Sequence, residues 1–349
     1  MRPSLVLGLV ALAFHLGVNG GYGIFRDELY FIVCGRHPAW GYVDQPPLVL
    51  LLAAGSYGLF GNFQIGEAAL HGKNIALSPM AFFIQQVLLI GPAAAPVWIV
   101  AVWACMRRPK FSVFRAFLVA YVLLFAYFVI AHGKAYYVSS IYPTLLAIGS
   151  VAFEEQLRGA AARTFALLAV AICGMVLAPF AVPMLPEKTY IAYAAALGFS
   201  PSATAAENHR LGPLPQHFAD MHGWQEMAEK VAAVYHALPP TDRAKAVFFG
   251  HNYGESAAID VFRRSLGLPP AIGEHNNYWL WGPRGNDGSV VIIIGGERAE
   301  YERQFRSVSV EGQIDDPYAM PYETNVPIYV LRGLNEPLAK LWPKIKHYD

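Results

Sequence analysis

The sequence predicts a polytopic α-helical membrane domain followed by a small soluble α/β domain. The chain has 349 residues and is 55% hydrophobic, which is too apolar for an ordinary soluble protein. Its charges are unevenly distributed. Residues 1–189 contain 12 Lys and Arg against 7 Asp and Glu, whereas residues 190–349 contain 14 against 18. The near-neutral net charge of the chain is therefore the sum of two unlike parts. We expect residues 1–189 to form a membrane half and residues 190–349 a water-soluble half.

Six segments of the first half are apolar over nearly the roughly 20 residues that a helix needs to cross a bilayer. They are residues 5–24, 43–60, 80–106, 113–131, 136–153 and 165–182. The first favours a retained anchor over a cleaved signal peptide, since no small-residue cleavage pattern follows it. Gly91 and Pro92 interrupt the third, and we expect a kink there because proline removes a backbone donor and clashes with the preceding turn.

Lysine and arginine predict the orientation of the spans, because cytoplasmic loops are enriched in both. The two most basic loops contain Arg107, Arg108, Lys110 and Arg115, and then Arg158 and Arg163. If both are cytoplasmic, Lys134 lies on the outer face and residues 190–349 form an extracytoplasmic domain of a multi-pass plasma (inner) membrane protein. Counting forward from Arg2 conflicts with this, because residues 80–106 would then end outside. Either 43–60 does not cross, or an odd number of spans is missing within residues 61–78.

The second half alternates short β-rich runs with helical ones. The predicted strands are residues 246–250, 289–294, 307–314 and 326–331, and the predicted helices are residues 224–238, 255–266 and 297–305. This alternation is typical of a small α/β layer domain. The three cysteines, Cys34, Cys105 and Cys173, all lie in the first half, so no disulfide framework is available to this domain.

A polar loop, residues 25–47, separates the first two apolar segments. It contains Arg26, Asp27, Glu28, Arg36, His37 and Asp44. Charges of both signs at a membrane cost several kcal/mol unless they pair, bind metal or face water, so this loop is the first candidate for a functional site. The alternative is a solvated helix start, with acidic residues in the first turn and residues 29–33 forming an interfacial helix on the bilayer.

Other polar clusters are weaker candidates. His251 and Glu255 have helical spacing, but no third metal ligand accompanies them at a motif spacing, which favours a loop histidine. Residues 250–254 follow a strand as a nucleophile elbow would, yet Asn252 stands where a serine is needed. The aromatic and amide side chains of residues 275–281 suit either stacking on sugars or closing a domain edge against lipid headgroups.

Several short motifs in both halves match the pattern of one family of membrane enzymes. They are Phe-Arg-Asp-Glu-Leu-Tyr at 25–30, Cys-Gly-Arg-His at 34–37, Gly-Tyr-Val-Asp-Gln-Pro-Pro at 41–47, Gly-Lys-Asn-Ile-Ala-Leu-Ser-Pro at 72–79, Gly-Lys-Ala-Tyr-Tyr at 133–137, Tyr-Pro at 142–143, Asn-Tyr-Gly at 252–254 and residues 275–282. With these motifs the chain resembles the bacterial protein-mannosyltransferase-like and aminoarabinose-transferase-like GT-C integral-membrane glycosyltransferases. The resemblance implies transfer of a sugar from a polyprenyl-phosphate carrier to a lipid, glycan or protein at the outer face of the membrane.

The resemblance also implies roles for individual residues. The acidic pair of the first outer loop is the catalytic element of the family, and it corresponds to Asp27 and Glu28. A carboxylate suits the reaction because the attacking hydroxyl or amine must lose a proton. Cationic candidates for the donor phosphate are Arg26, Arg36 and Lys134. Candidate residues of the substrate pocket are Tyr30, His37, Asp44, Tyr136 and Tyr137. Glu28 and Asp44 are candidate ligands of a divalent cation, Mg²⁺ or Mn²⁺.

The chain departs from the family in one respect. Family members usually carry several more spans before the segment that matches residues 72–79, including a second acidic site in a later outer loop. The orientation conflict falls at the same place, which indicates a lost block of membrane helices. A second hypothesis therefore stands beside the enzyme, namely a catalytically inactive remnant that acts as a membrane-anchored binding or scaffolding module. A transporter is disfavoured because no polar residues are spaced along the centres of the spans.

Overall fold

The computed structural model describes residues 10, 13, 14, 17, 18, 21–45, 77–131, 133–201 and 210–348. The chain divides into two compact units. The α/β unit comprises Met1–Gly72, Pro183–Ala205 and His209–Asp349, and the helical unit comprises Lys73–Val182 and Ala206–Asn208. Residues 21–45, which the sequence grouped with the membrane half, thus belong to the α/β unit. Most of the predicted spans 5–24 and 43–60, and nearly all of residues 61–78, lie outside the described residues.

Helix α1, Arg26–Gly35, belongs to the α/β unit. The helical unit follows it along the chain. Its elements are α2 (Pro79–Ile90), α3 (Ala95–Arg107), a 3₁₀ helix (Pro109–Phe114), α4 (Arg115–Ile130), a second 3₁₀ helix (Ala135–Ile141), α5 (Tyr142–Glu154) and α6 (Ala160–Ala181).

Among the described residues, three helical segments are long and apolar enough to cross a membrane: Pro109–Ile130, Ala135–Glu154 and Ala160–Ala181. They confirm the apolar segments predicted at 113–131, 136–153 and 165–182. The segment predicted at 80–106 is instead two short helices, α2 and α3, that meet at an angle of 115°. The break falls at Gly91, whose φ is +93°, directly before Pro92, as the sequence predicted. The helices of 12 and 13 residues are each only about 18–20 Å long.

Close helix packing holds the helical unit together. Gly149 on α5 lies against the backbone of α3, where a Cβ atom would come within 2.1 Å of the Val97 carbonyl oxygen. Gln86 is fully buried; its Nε2 donates to the Ala135 carbonyl at 2.7 Å, and its Oε1 accepts from the Tyr142 hydroxyl at 2.8 Å. Apolar side chains on the outer faces of α4 and α6 remain exposed.

In the rest of the α/β unit, the described residues form further helices and a five-stranded sheet. Its elements are α7 (Glu187–Ala196), α8 (Gln216–Ala219), α9 (Trp224–Ala237), α10 (Pro240–Arg243), β1 (Ala246–Gly250), α11 (Tyr253–Leu266), β2 (Ile272–Gly273), α12 (Asn276–Leu280), β3 (Val290–Ile294), α13 (Arg298–Gln304), β4 (Phe305–Ile314), β5 (Val326–Leu334), α14 (Leu338–Leu341) and a 3₁₀ helix (Trp342–Lys344). All four predicted strands are confirmed, and β2 was not predicted.

The sheet is mixed, with the order β2-β1-β3-β5-β4. Strands β2, β1 and β3 are parallel, whereas β5 runs antiparallel to both β3 and β4. Phe248 of β1 lies opposite Ile292 of β3, and Ile292 lies opposite Val330 of β5. These apolar side chains form a continuous buried row across the centre of the sheet.

Helix α1 is part of the hydrophobic core of this unit. Nine of its ten residues are buried, and Leu29, Tyr30 and Phe31 pack in one cluster with side chains of α9, α11 and the central strands. The alternative of a solvated helix start and an interfacial helix at 29–33 is therefore wrong, because this apolar face packs on protein rather than on a bilayer. The segment around α1 and the C-terminal segment form one folded domain.

Candidate functional site

The candidate site lies where the N-terminus of α1 meets the carboxyl end of β1. In open α/β sheets, the carboxyl ends of parallel strands are the usual place for a ligand. The three residues after β1 carry side chains that each contact a different acidic partner: the His251 ring contacts Glu274, Asn252 contacts Glu323, and Tyr253 contacts Asp27.

Asp27 lies at the centre of this arrangement and is only 7% exposed. The Tyr253 hydroxyl donates to its Oδ1 at 2.5 Å, and the Arg26 Nε lies 3.5 Å from the same oxygen. Burial raises the pKa of Tyr253 well above its ordinary value, and the Asp27 carboxylate raises it further. The tyrosine therefore keeps its proton and remains a donor to the carboxylate.

Arg26 supplies the positive charge beside Asp27. Its Nη1 donates to the Tyr322 hydroxyl at 3.0 Å and lies 3.7 Å from the Asp220 Oδ1. Its guanidinium carbon is 5.4 Å from the centre of the Tyr253 ring. Burial opposes the charge, but these neighbours, Asp220 foremost, raise the pKa of Arg26 well above its ordinary value. The guanidinium thus stays cationic inside the domain.

Gly254 permits this close approach of α1 to α11. A Cβ atom at Gly254 would stand 2.5 Å from the Cγ of Arg26. Asn252 starts α11 as its N-cap, with its side-chain oxygen accepting from the Glu255 N–H at 2.9 Å, a favourable way to satisfy a helix terminus. The capped turn thereby fixes Tyr253 and Gly254 against Arg26 and Asp27.

Asp44 contacts Tyr30, whose ring packs beside that of Tyr253. The Tyr30 hydroxyl donates to its Oδ1 at 3.3 Å, and the Asn276 Nδ2 donates to its Oδ2 at 3.1 Å. The rings of Tyr30 and Tyr253 are 4.8 Å apart. Burial raises the pKa of Asp44 to about 6, and the nearby Asp27 charge contributes to the increase. Asp27 and Asp44, far apart in the loop sequence, are thus electrostatically coupled.

Residues 275–281 contribute to this region through their two asparagines. Asn276 and Asn277 are both buried, and Asn277 Oδ1 accepts from the Val43 N–H at 3.2 Å. The aromatic residues behave differently: the indole Nε1 of Trp279 donates to the Trp342 carbonyl at 2.7 Å, and that of Trp342 donates to the Trp279 carbonyl at 2.9 Å. This part of the segment fastens the C-terminal 3₁₀ helix to the domain.

A second acidic cluster lies beside the first. The Asn252 Nδ2 donates both to the Glu255 Oε1 at 2.8 Å and to the Glu323 Oε1 at 2.9 Å. Burial raises the pKa of both carboxyl groups, and the charge of Glu323 raises that of Glu255 further. One amide therefore joins two carboxyl groups that resist simultaneous ionisation.

The His251 side chain does not form a metal pair with Glu255. Glu255 Oε2 accepts from the backbone N–H of His251 at 2.8 Å, whereas the imidazole lies 2.7 Å from the Tyr301 hydroxyl and 3.3 Å from Glu274 Oε1. The interpretation as a loop histidine agrees with this geometry.

The remaining loop residues are spread along α1. The Glu28 carboxylate accepts from the Phe25 N–H at 3.1 Å at the helix start. At the other end, Arg36 donates to the Asp260 carbonyl at 3.1 Å, and the His37 ring lies 4.6 Å from that of Trp281. Arg36 and Asp27 are separated by about 14 Å of helix. The structure therefore brings Arg26, Asp27, Tyr30 and Asp44 together, and it places Arg36 and His37 elsewhere.

Glu28 and Asp44 do not fit the predicted divalent-cation site. Within the described ranges, no three His, Cys, Asp or Glu side chains lie close enough to hold a metal ion. Glu28 is directed to its own helix start, and the Asp44 oxygens accept from Tyr30 and Asn276. We therefore derive no chemical step through a metal.

Lys134, Tyr136 and Tyr137 belong to the helical unit. Lys134 is buried at the start of the second 3₁₀ helix, with its Nζ 5.7 Å from the centre of the Tyr136 ring. The Tyr136 and Tyr137 rings pack edge to face at 5.0 Å. The three residues form one local cluster.

Sequence reasoning missed several residues of the site. Tyr253, Asp220 and Tyr322 contact Asp27 or Arg26, although each is far from them along the chain. Of the three, only Tyr253 lies in a recognisable sequence motif, the one at 252–254. That motif by itself predicts no role for the tyrosine.

Comparisons with known proteins identify no relative. No protein-family model, no curated protein and no solved structure matches this chain.

Proposed function

We propose that the protein is a membrane glycosyltransferase that transfers a sugar from a polyprenyl-phosphate donor to an acceptor outside the cytoplasm. The observation that supports this most is the Asp27 carboxylate, held by Tyr253 and Arg26 at the carboxyl end of a parallel strand. The motif resemblance and the three apolar helices of the helical unit support the same proposal.

The shared core of the α/β unit constrains the membrane topology. Helix α1 and the C-terminal segment pack in one hydrophobic cluster, so both lie on the same side of any membrane that the chain crosses. An even number of crossings must therefore separate residue 45 from residue 183. Segments Pro109–Ile130, Ala135–Glu154 and Ala160–Ala181 supply three, and one more is needed.

A re-entrant α2–α3 pair would remove the orientation conflict without a lost block of helices. If the part of the predicted segment 43–60 that follows Asp44 supplies the fourth crossing, α2 and α3 must enter and leave the membrane on one side. Their angle of 115° and their length of about 18–20 Å each, well short of the roughly 30 Å hydrocarbon core, suit such a re-entrant pair. The basic loop after α3 is then cytoplasmic, and Asp27 and residues 210–348 lie outside.

In the proposed reaction, the acceptor hydroxyl or amine attacks the anomeric carbon of the donor sugar. Its proton passes to the Asp27 carboxylate as the new bond forms. The bond between the anomeric carbon and the phosphate oxygen breaks, and the lipid phosphate leaves with the electron pair. Tyr253 holds Asp27 in place, and Arg26 offers positive charge to the leaving phosphate. Both act inside a low-dielectric site, where such interactions are stronger than in water.

The alternative function, an inactive binding or scaffolding module, is favoured by one specific observation. Arg26, Asp27 and Asp220 are all buried, and the hydroxyl of Tyr322, on the connection between β4 and β5, accepts from the Arg26 Nη1. A donor phosphate would have to displace this contact to reach the guanidinium. A purely structural cluster would show the same pairing.

Turnover by membranes that contain the full chain distinguishes the two functions. We expect transfer of label from a polyprenyl-phosphate sugar, and its loss in the variant Asp27→Asn, which keeps an acceptor for Tyr253 but cannot take a proton. The matched control is Glu226→Gln, which removes an exposed carboxylate that pairs with Lys230 on α9. Full activity of Asp27→Asn, or no turnover of any polyprenyl-phosphate sugar by folded protein, contradicts the proposal.

A further inference from the structure

Among the described residues of the α/β unit, the most exposed large hydrophobic side chain is an indole. Trp40 is 99% exposed, whereas the next most exposed of the seven tryptophans, Trp103, is 43% exposed. Tryptophan is among the residues that proteins bury to a large extent. A fully exposed indole therefore indicates a surface that has a use outside the domain.

The loop that carries Trp40 is braced at its base. The Tyr42 hydroxyl accepts from the Ala39 N–H at 3.0 Å, and it lies within donating distance of the carbonyls of His37 and Cys34, at 3.0 and 3.2 Å. Cys34 belongs to the buried face of α1. The loop is thus anchored to the core and holds the indole outward, so little backbone conformational entropy remains to be lost when the indole meets a partner.

Aromatic and aliphatic side chains extend this surface beyond the loop. The His37 ring packs 4.6 Å from the Trp281 ring, and the neighbouring Leu280 is 55% exposed. The Arg284 guanidinium beside Trp281 does not belong to this surface, because it pairs with the Asp260 carboxylate at 3.0 Å. Indole and aliphatic groups together are the composition that proteins present to the headgroup region of a bilayer.

The chain itself brings Trp40 near a membrane. The apolar run that starts at Leu48 begins eight residues after Trp40, a reach of at most about 28 Å of extended chain. A sugar-binding indole, the main competing use, would be expected at the wall of a groove rather than fully surrounded by solvent. Sequence position and exposure both favour lipid.

We propose that the loop at residues 37–42 is an interfacial anchor, in which the Trp40 indole inserts among phospholipid headgroups on the side of the membrane that carries the α/β unit. The inference rests on the membrane location within the proposed function and not on sugar transfer. Such an anchor would fix the distance between Arg26 and Asp27, at the start of α1, and the bilayer surface, where a lipid-linked donor presents its phosphate.

A fluorescent probe at position 40 tests the anchor. The full chain carrying Trp40→Cys is labelled with an environment-sensitive dye and reconstituted into vesicles of phosphatidylethanolamine and phosphatidylglycerol. Cys173 is replaced by alanine, whereas Cys34 and Cys105 are buried and are retained. We expect a blue-shifted emission that nitroxide near the lipid headgroup quenches severalfold more than nitroxide at the acyl-chain end or aqueous iodide.

The matched control is the same dye at Val310→Cys. Val310 is 50% exposed on β4, the strand at the opposite edge of the sheet from β2, and iodide should quench it strongly. Equal iodide quenching at positions 40 and 310 would overturn the anchor. So would a response at position 40 to added oligosaccharide but not to lipid, which would assign the indole to a sugar.

A second measurement avoids cysteine altogether. Brominated phospholipids should quench the intrinsic fluorescence of the unmodified protein more than that of Trp40→Phe, and equal quenching contradicts the proposal. Neither readout needs turnover. Loss of lipid quenching with intact sugar transfer therefore rejects the anchor alone, whereas lipid quenching without sugar transfer rejects the proposed enzyme alone.

Discussion

The Tyr253 hydroxyl and the Asp27 carboxylate form a hydrogen bond of 2.5 Å between α11 and α1. The two residues are 226 positions apart in sequence, and the bond is made where both helices begin. Since the tyrosine keeps its proton, this bond fixes the orientation of the carboxylate without neutralising it. In the proposed reaction, this oriented carboxylate takes the proton of the acceptor group.

Removing this hydroxyl should impair catalysis more than folding. In Tyr253→Phe, the ring stays in the core but Asp27 loses its strongest positional restraint. We expect the kcat for sugar transfer to fall roughly tenfold to a hundredfold with a smaller change in KM, and the free energy of unfolding to fall by about 1 kcal/mol. Steady-state kinetics and denaturant titration measure the two effects.

Tyr278→Phe is the matched control. The Tyr278 hydroxyl also bonds to a buried carboxylate, at 3.2 Å from the Asp260 Oδ2, but it does not contact Asp27. It should show a comparable loss of stability with a nearly normal kcat. If both variants lose kcat equally, Tyr253 has only a structural role.

The close approach at Gly254 makes a second prediction. In Gly254→Ala, the new methyl group would stand 2.5 Å from the Arg26 Cγ, so the Arg26 side chain or the start of α1 must shift. We expect a loss of roughly 1–3 kcal/mol in the free energy of unfolding, together with reduced turnover. Thermal unfolding in detergent measures the stability.

Gly174→Ala controls for the substitution itself. Gly174 lies in α6, where an added Cβ meets nothing within 4 Å, so alanine should be neutral or slightly stabilising through its better helix propensity. Equal thermal stability of Gly254→Ala and the parent protein would show that α1 does not pack on α11 as described.

The raised pKa of Asp44 predicts that the stability of the protein depends on pH. Burial raises its pKa from 3.8 to about 6 in the folded protein, so folding favours the protonated form. The stability that this form provides is complete below pH 3.8 and is lost as the pH rises through about 6. The parent protein should therefore lose roughly 1–3 kcal/mol relative to Asp44→Asn between about pH 4 and about pH 7.

Denaturant titrations across that pH range measure the difference between the two proteins. Glu226→Gln controls for the change in net charge, because its side chain is exposed on α9. Parallel pH profiles for the parent protein and Asp44→Asn would place the Asp44 carboxyl group in contact with water, contrary to its position beside Tyr30 and Asn276.

The sequence predicts those parts of the fold that are determined locally. Runs such as Val290–Ile294 are apolar and β-branched, and they form buried strands. Gly91 and Pro92 disfavour a continuous helix, and α2 ends at Ile90, directly before them. The bend of 115° was not predictable from these two residues, because packing of α3 on α5 also determines the direction of α3.

The site was only partly predictable. Asp27 and Asp44 were identified as candidates, but the local pattern of Leu29 to Val33 is equally compatible with a bilayer surface. Whether this apolar stretch lies on lipid or in a protein core depends on α11 and the sheet, more than two hundred residues later. Tyr253 and Tyr322 were missed for the same reason, since only the tertiary fold brings them to Arg26 and Asp27.

The re-entrant arrangement of α2 and α3 leads to a prediction about topology. Ser78, at the start of α2, and Ser112, after α3, are both exposed. If the pair enters and leaves on one side, Ser78→Cys and Ser112→Cys should react with a membrane-impermeant maleimide from the cytoplasmic side. Ser307→Cys, on β4 of the α/β unit, should react only from the opposite side. All three variants use the Cys173→Ala background, because the other native cysteines are buried.

Labelling of positions 78 and 112 from opposite sides would instead make α2 and α3 one bent crossing. Because α1 and the C-terminal segment share a core, residues 43–60 would then have to remain on one side, or further crossings would have to lie within residues 46–76.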